Sequence, residues 1–327
     1  MTLRGRVFVL APILHIAPRE VAMKRRTKPS SAALSATLIR RPIQRCFAIF
    51  LLPTFAAFCI GFIYPFAKGI YLSFCKFTTT SNAKWIGIGN YLKAFQDASF
   101  MHAFQYTALV AIVSLIVINV LAFAVAYALT RGIKGSNTFR TVFFMPNLIG
   151  GIVLGYIWSM IFDGILSRYG TSIVLSTTYG YWGLIILMAW QQIGYMMIIY
   201  IAGLQSVPGD LIEAAKIDGA NGWHTLWHIT IPTIMPSITI CTFLTLTNSF
   251  KLFDQNFVLN GGQPFVFMAD GTVIRSTEML ALNIYNTFYL NANSRGTGQA
   301  KAVLFFVLVA AIALIQFSAT RRKEIQQ

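Results

Sequence analysis

The chain of 327 residues is 56% hydrophobic and only 11% charged, whereas about a quarter of the residues in soluble domains are charged. This composition argues against an ordinary soluble domain and indicates a membrane protein. The formal net charge of +16 could suggest a nucleic-acid partner, but the sequence has no basic helix face and no RNA-stacking motif, so we predict no nucleic-acid binding.

The first 45 residues form a basic segment that we predict to be a cytoplasmic tail. It holds ten of the 26 lysines and arginines. Within it, residues 7–18 form an apolar run that is too short to cross a membrane, and Met23, followed by Lys-Arg-Arg, resembles a natural start. Residues 1–22 could therefore result from an early choice of start codon, or they could belong to the native chain.

Six stretches are apolar and long enough to cross a bilayer core, which is about 30 Å thick and requires about 20 helical residues. They lie at residues 47–74, 103–130, 141–162, 181–205, 233–259 and 300–317. The fifth stretch is the most polar of the six. We predict an all-α membrane protein with six transmembrane helices, in a transmembrane domain at residues 46–320.

The orientation of these spans follows from their flanking lysines and arginines. Besides the ten before the first span, three follow the second span, and others follow the fourth span and lie in the tail at residues 321–327. Cytoplasmic loops of membrane proteins are rich in these residues. Both chain ends are therefore predicted to be cytoplasmic, and the loop at residues 260–299 is predicted to face outward.

The loop between the fourth and fifth spans, residues 206–232, reads SVPGDLIEAAKIDGANGWHTLWHITIP. Ser206 and Pro208 predict the start of a short helix, because these residue types are common at the cap and in the first turn. Gly219 and Gly222 predict its end. Apolar residues leave one side of the helix hydrophobic, so a helix on the cytoplasmic side requires a protein partner or a groove.

This loop resembles the signature loop of ABC importer permeases, in which Glu-Ala-Ala is followed by three residues, Gly, nine residues, Ile, one residue and Leu-Pro. The matching residues are Glu213, Ala214, Ala215, Gly219, Ile229 and Pro232. The chain departs from the pattern only at Ile231, which replaces the leucine. Glu-Ala-Ala alone is common in helices, but the whole register between two spans is specific.

The resemblance implies a coupling helix that docks in a cleft of a separate ATPase subunit. ATP-driven closure of two ATPase subunits would then move the permease between inward-facing and outward-facing states. The residues implied in this contact are Glu213, Ala214, Ala215, Asp218, Gly219, Ile229 and Pro232. The alternative is that these residues only cap and pack a connector between two spans.

Further motifs are similar to those of the carbohydrate-uptake branch, which includes the larger maltose permease subunit and the compact lactose-type and raffinose-type permeases. They include Ile63-Tyr64-Pro65, Met145-Pro146, Ala202-Gly203-Leu204-Gln205-Ser206, and Phe253-Asp254 with Asn260-Gly261-Gly262. The chain departs from the branch at Gln263, where a proline is frequent. The resemblance covers about residues 47–323.

This resemblance implies the fold and the partners of the chain. The fold would be that of a type I ABC importer permease, located in a bacterial cytoplasmic membrane. The partners would be a second homologous permease subunit, two ATPase subunits and an extracytoplasmic sugar-binding protein. ATP and magnesium would bind to the ATPase subunits, and no cofactor would bind to this chain.

Polar residues within predicted spans are costly in lipid and therefore mark a candidate solute path. The candidates are Gln191, Gln192, Tyr195, Asn248, Lys251, Asp254 and Gln255. Asn248, Lys251 and Gln255 are three and four residues apart, which predicts one helical face. The resemblance implies that Asn248 and Lys251 occupy sugar-binding positions, and that Gln191, Gln192 and Tyr195 match sugar-contacting positions too.

The alternative is a structural role, in which these polar residues form hydrogen bonds between helices. Lys251 and Asp254 could also simply neutralise each other. A lysine where the family has an asparagine could instead mean a different sugar, or one that is acidic or carries an amide.

The chain has no motif for chemistry of its own. It lacks the glycine-rich Lys-Ser/Thr loop that cradles ATP phosphates, so we predict no enzyme activity. Its four cysteines have no CxxC spacing, which is typical of small buried residues. His224 and His228 could share a helix face, but no third ligand is near them in the sequence, so we predict no metal site.

We predict the permease subunit of an importer for a sugar or oligosaccharide. An ABC permease for a non-sugar solute remains open, as does a secondary transporter driven by an ion gradient. The latter would require inverted repeats and several buried carboxylates, whereas Asp254 is the only carboxylate well inside a predicted span. A structural scaffold would explain neither the loop nor the polar fifth span.

Overall fold

The computed structural model describes residues 47, 49–269 and 271–321. The chain divides into two compact units, residues 1–63 and 64–327, and the boundary falls within the first predicted span. In the first unit the described residues are helical, with a π-helical stretch at Cys59–Ile63. The predicted tail at residues 1–45 and residues 322–327 of the second tail lie outside the described residues.

Helices dominate the second unit, and two small hairpins accompany them. The helices are α1 (Tyr64–Ser73), α2 (Gly89–Gln96), α3 (Ala98–Leu129), α4 (Ser136–Phe144), α5 (Gly151–Leu166), α6 (Thr177–Gln205), α7 (Gly209–Ile217), α8 (Gly222–Thr225), α9 (Met235–Phe250), α10 (Asp254–Leu259), α11 (Leu280–Tyr289) and α12 (Arg295–Arg321). The strands are β1 (Cys75–Lys76), β2 (Lys84–Trp85), β3 (Phe265–Phe267) and β4 (Val273–Arg275).

Two small hairpins accompany the mostly helical fold that the sequence predicts. β1 pairs antiparallel with β2, with Cys75 opposite Trp85, and β3 pairs antiparallel with β4, with Phe265 opposite Arg275. The second pair contains aromatic and β-branched residues that favour strands. Its turn includes Gly271, whose φ of 81° suits glycine.

Four helices are long and apolar enough to cross a membrane: Ile49–Ser73, Ala98–Leu129, Thr177–Gln205 and Ala292–Gln316. Two further candidates are bent pairs. The chain bends by 101° between Ser136–Leu148 and Gly151–Tyr169. It bends by 71° between Gly222–Thr233 and Met235–Phe250. Six spans result only if each bent pair crosses the membrane once, so the count of six and the orientation remain predictions.

The third predicted span, 141–162, is not one helix. A 3₁₀ turn at Met145–Leu148 follows α4, and Gly150 is extended with ψ of 141° before α5 begins. Pro146 in this turn has no backbone N–H to donate, and the Gly150-Gly151 pair costs conformational entropy in a helix. The local sequence therefore favours a break here.

The fifth predicted span, 233–259, is also broken. α9 ends at Phe250, and α10 begins only at Asp254. Near the end of α9, the hydroxyls of Thr247 and Ser249 donate to backbone carbonyl oxygens one turn earlier, a pattern that weakens and bends helices. The prediction that Asn248, Lys251 and Gln255 share one face of a continuous helix is therefore wrong.

α6 is the central helix of the second unit and packs against α3, α4 and α9. Its side chains Leu184, Met188 and Met196 are fully buried in the main hydrophobic core. A Cβ at Gly194 would overlap the carbonyl oxygen of Phe143, so glycine is required for the close approach of α6 and α4.

Polar side chains also connect these helices. The Tyr200 hydroxyl of α6 donates to the Asn119 Oδ1 of α3 at 2.8 Å, and the Asn119 Nδ2 donates to the Thr245 Oγ1 of α9 at 3.2 Å. Such hydrogen bonds between helices stabilise membrane proteins modestly. The three helices that form the core are thereby joined at one point.

A buried lysine connects the ends of α3, α11 and α12. Lys301 is fully buried, and its Nζ lies 2.6 Å from Asp97 Oδ2, 2.8 Å from Asn283 Oδ1 and 2.7 Å from Thr287 Oγ1. Asn283 in turn donates to the carboxylate of Glu278 at 2.8 Å. The ammonium group therefore has three hydrogen-bond acceptors, as a buried charge requires.

Candidate functional site

A polar cavity of about 320 Å³ lies where the two broken spans meet α6. Its lining consists mainly of amide and charged side chains. The lining residues are Asn147, Gln191, Gln192, Asn248, Lys251, Leu252, Phe253, Asp254 and Gln255. Six of the seven predicted path residues are among them. The seventh, Tyr195, packs against the hydrophobic core instead.

The breaks in the helices bring these residues together. The residues between α9 and α10 supply Lys251 and Phe253, and the turn before α5 supplies Asn147. Non-helical backbone at membrane depth is tolerated where it is buried in protein or lines a cavity. Sequence reasoning missed Asn147, although the Pro146-Asn147 pair and the following glycines were a readable signal of a turn.

Small residues allow the two broken spans to approach each other. α5 packs against α10, and a Cβ at Gly151 would lie 2.8 Å from the Cβ of Asp254 and 3.1 Å from the amide of Gln255. A larger side chain at position 151 would displace both Asp254 and Gln255. The shape of the cavity therefore depends on glycine at position 151.

Hydrogen bonds hold part of the cavity wall in place. Gln255 Nε2 donates to Gln191 Oε1 at 2.7 Å, and Gln191 Nε2 donates to the carbonyl oxygen of Ile149 at 3.3 Å. These bonds connect α10 and α6 with the break before α5. The Gln192 side chain is different, because its buried Oε1 has no hydrogen-bond partner among the described residues.

The two charged residues of the cavity are not paired. Lys251 and Asp254 are both exposed, and no ion pair between them exists in the part of the chain that the structure describes. Lys251 caps the carboxyl end of α9, and Asp254 lies in the first turn of α10. Each charge is thus at the helix end that favours its sign, and both remain accessible from the cavity.

The predicted coupling helix is α7, and its end has the predicted form. Gly219 has a φ of 77°, its N–H donates to the Lys216 carbonyl at 3.1 Å, and the Ala220 N–H donates to the Ala215 carbonyl at 2.9 Å. These two bonds form a Schellman motif, which requires a left-handed residue at this position. Gly222, which was expected to end the helix, begins α8 instead.

The start of α7 differs from the prediction. Pro208 is the residue at the N-cap, whereas Ser206 lies at the end of α6 and its hydroxyl donates to the Gly203 carbonyl at 2.8 Å. The predicted capping role of Ser206 is therefore wrong. A serine can satisfy the helix end that precedes it as well as the one that follows it, and the sequence alone does not distinguish the two.

The predicted coupling residues fall into two groups. Glu213, Ala214, Asp218 and Gly219 are exposed, whereas Ala215 is buried and Ile229 and Pro232 are half-buried. Ile229 and Pro232 line a cavity beneath the loop. The exposed group is accessible to solvent, and the other group packs the loop against the spans.

Three large apolar side chains of the loop are also exposed, and sequence reasoning did not single them out. Ile217 is 87% exposed, Trp223 69% and Trp227 51%. The two tryptophan rings contact each other edge to face, with centroids 5.7 Å apart. Exposed aromatic pairs of this kind are costly in water and are enriched in protein interfaces.

Known proteins resemble this chain along most of its length. The sequence profile of the family described as binding-protein-dependent transport system inner membrane component matches residues 128–324. The probable starch degradation products transport system permease protein AmyD of Thermoanaerobacterium thermosulfurigenes is 40% identical over 286 residues, which cover 85% of this chain and 94% of AmyD. The multiple sugar-binding transport system permease protein MsmF of Streptococcus mutans is 30% identical over 276 residues, which cover 81% of this chain and 92% of MsmF.

A solved structure gives the fold. One chain in the crystal structure of a bacterial ABC transporter involved in the import of the acidic polysaccharide alginate superposes with a TM-score of 0.70 at 20% identity. The match covers 87% of this chain and 98% of that chain. At this identity the likeness concerns the fold alone, and it confirms the predicted type I importer fold.

Proposed function

Because this chain belongs to the family of binding-protein-dependent transport system inner-membrane components, we propose that it is the permease subunit of an ATP-driven importer for a sugar or oligosaccharide. The observation that carries the proposal is the polar cavity, in which side chains from α6 and from two broken spans converge. AmyD and MsmF, which the chain resembles along most of its length, are named for starch degradation products and multiple sugars.

The chemistry of the cavity suits a ligand that is rich in hydroxyl groups. Asn147, Gln191 and Asn248 offer both donors and acceptors. The free Oε1 of Gln192 is an acceptor that lacks a protein partner among the described residues, so a sugar hydroxyl would satisfy it. Phe253 adds a ring face to this lining, as is usual in small-molecule sites.

The transmembrane arrangement that we propose has six spans, with each bent pair counted as one. Both chain ends and the loop at residues 206–232 would face the cytoplasm, as the distribution of lysine and arginine predicts. The membrane would be a bacterial cytoplasmic membrane. The loop at residues 260–299 would then face an extracytoplasmic sugar-binding protein.

The exposed surface of α7 and α8 is the proposed contact with an ATPase subunit. Glu213 and Asp218 are exposed, and so are Ile217 and the tryptophan pair, which gives the mixture of apolar anchors and polar groups that is typical of interfaces. ATP and magnesium would be bound by two ATPase subunits. A second homologous permease would complete the membrane part, and this chain would bind no cofactor.

An import assay of the complete transporter tests the coupling. We expect Glu213→Ala to reduce ATP-dependent uptake of radiolabelled malto-oligosaccharides by about tenfold or more, because a polar contact at the centre of an interface contributes about 1.4 kcal/mol or more. Asp210→Ala is the matched control, since this exposed carboxylate of α7 is outside the coupling set. Equal uptake by both variants, or uptake without any ATPase under a proton or sodium gradient, would contradict the proposal.

An acidic sugar is the second candidate. The exposed, unpaired ammonium of Lys251 favours it, although the carboxylate of Asp254 lines the same cavity. If the solute is acidic, Lys251→Gln will reduce the uptake of an oligouronate much more than the uptake of a neutral oligosaccharide. Equal reductions of both would support a neutral sugar.

A further inference from the structure

Five aromatic side chains form a continuous row that begins at the polar cavity. The rings of Phe253 and Phe257 are stacked at 5.4 Å, and Tyr285 contacts both, at 5.1 Å and 5.6 Å. Tyr285 in turn contacts Tyr289 at 4.7 Å, and Tyr289 contacts Phe288 at 5.0 Å. We call these five residues the aromatic row.

The row connects two cavities. Phe253 lines the polar cavity, and it also lines a second cavity of about 390 Å³ together with Tyr285, Phe288, Tyr289 and Gln299. The second cavity lies between α11 and the first turns of α12. A molecule that occupies both cavities would therefore pass over the ring of Phe253.

The helix α11 explains why the row exists. Tyr285 and Tyr289 are four residues apart, so they lie on one face of this helix. Tyr289 is 62% exposed and Phe257 43%, and the hydroxyls of the two tyrosines have no hydrogen-bond partner among the described residues. The rings are therefore only partly used in packing within the described part of the chain.

Carbohydrates match such a surface. The carbon-bound hydrogens on one face of a sugar ring carry a slight positive charge, and the face of an aromatic ring carries a negative one. The hydroxyl groups at the rim of the sugar can bond to the Tyr285 and Tyr289 hydroxyls and to the amide of Gln299, since all of these offer donors and acceptors. An apolar surface with a few polar groups is the usual form of a small-molecule site.

We propose that the aromatic row is a second sugar-binding subsite. It holds the trailing units of an oligosaccharide while the leading unit occupies the polar cavity. The inference rests on the proposed function, and it adds a preference for chains longer than a single disaccharide. The continuity through Phe253 is the reason for choosing a sugar chain over a second permease subunit as the molecule that covers the row.

The test uses the complete transporter in its membrane, with radiolabelled maltose and a longer malto-oligosaccharide as probes. Tyr285→Ala and Tyr289→Ala will each reduce uptake of the longer sugar by about threefold to tenfold, mainly through a higher KM, because each variant loses one ring contact with the sugar. Uptake of maltose will change by less than about twofold. Tyr285→Phe, which keeps the ring, will retain most of the uptake of the longer sugar.

Tyr169→Ala is the matched control, because Tyr169 is 79% exposed and lies outside the row. Unchanged uptake of the longer sugar in both alanine variants would overturn the subsite while leaving the proposed function intact. Equal loss for both sugars, with loss of the second permease on co-purification, would assign the row to subunit packing and also overturn the subsite. Wild-type transporter that imports no sugar at all would overturn the proposed function and the subsite together.

Discussion

Lys301 and Lys251 both lie within stretches that are predicted to cross the membrane, but their surroundings differ. Lys301 is fully buried, with Asp97, Asn283 and Thr287 around its ammonium group. Lys251 is exposed at the polar cavity, and no ion pair with it exists in the described residues. A buried charge is tolerated only when it is paired, whereas an unpaired charge in a cavity remains available to a solute.

Charged side chains therefore serve two different purposes in this protein. The Lys301 cluster, formed by Lys301, Asp97, Asn283 and Thr287, connects segments that are up to 204 residues apart in the sequence. The cluster can therefore affect only the stability of the fold. The cavity residues keep their charges in contact with open space, so they can act on whatever enters. Substitution of each lysine by the same residue tests this difference directly.

The largest effect is expected for Lys301→Met. Removal of one partner of a buried pair leaves Asp97 and Asn283 without their donor and costs about 3 kcal/mol, the low end of the usual range because Asp97 is partly exposed. Thermal unfolding of the purified transporter will measure the loss. Lys93→Met is the control, since Lys93 is exposed on the adjacent helix α2. Equal stability of the two variants would show that the cluster is not structural.

A second, somewhat smaller effect is expected for Gly151→Val. The new side chain would press on Asp254 and Gln255, and overpacking of this kind costs about 1–3 kcal/mol. We expect reduced stability together with reduced uptake, because the cavity wall itself moves. Gly164→Val is the matched control on the same helix, since its Cβ would meet open space. A Gly151→Val variant with normal uptake would mean that the solute does not use this wall.

We expect Lys251→Met to reduce uptake and to leave stability almost unchanged, which is the opposite of the effect expected for Lys301→Met. Uptake will fall by about tenfold, which corresponds to about 1.4 kcal/mol, while the free energy of unfolding will change by less than about 0.5 kcal/mol. Uptake assays and unfolding of the same preparation measure both quantities. A fall in stability without a specific fall in uptake would move Lys251 into the structural class, beside Lys301.

The smallest effect is expected for Tyr200→Phe. The variant loses the hydrogen bond between Tyr200 and Asn119, and hydrogen bonds between helices in membranes contribute about 0.6 kcal/mol on average. Uptake will be unchanged, since the bond is part of the core and not of the cavity. A large loss of uptake would indicate that the polar core also takes part in the conformational cycle.

Much of the candidate site could be predicted from the sequence. Polar residues are rare in spans, so their positions alone identified six of the residues that line the cavity. Their arrangement could not be predicted, because a hydropathy window averages over about 20 residues and does not register where backbone hydrogen bonds stop. The break after Phe250 contains no proline or glycine that would have revealed it.

The features that were missed depend on long-range contacts. Asp97 and Lys301 are far apart in the sequence, so nothing near either residue indicates the other. The aromatic row likewise joins α10 with α11 through rings that a sequence would assign to separate segments. Tyr195 lies one helical turn from Gln191 and Gln192, but it packs against the core and is not among the residues that line the cavity.

The bend at Ile234 has a geometric consequence for transport. Ile234 is only 1% exposed, so it can serve as a fixed pivot between the segment Gly222–Thr233 and α9, which meet at 71°. α9 has 16 residues and is therefore about 24 Å long. A rotation of about 5° at this elbow would sweep the Phe250 end through an arc of about 2 Å. If the tryptophan pair contacts an ATPase subunit as proposed, a small tilt imposed there would move the end of α9 beside the polar cavity by about this distance.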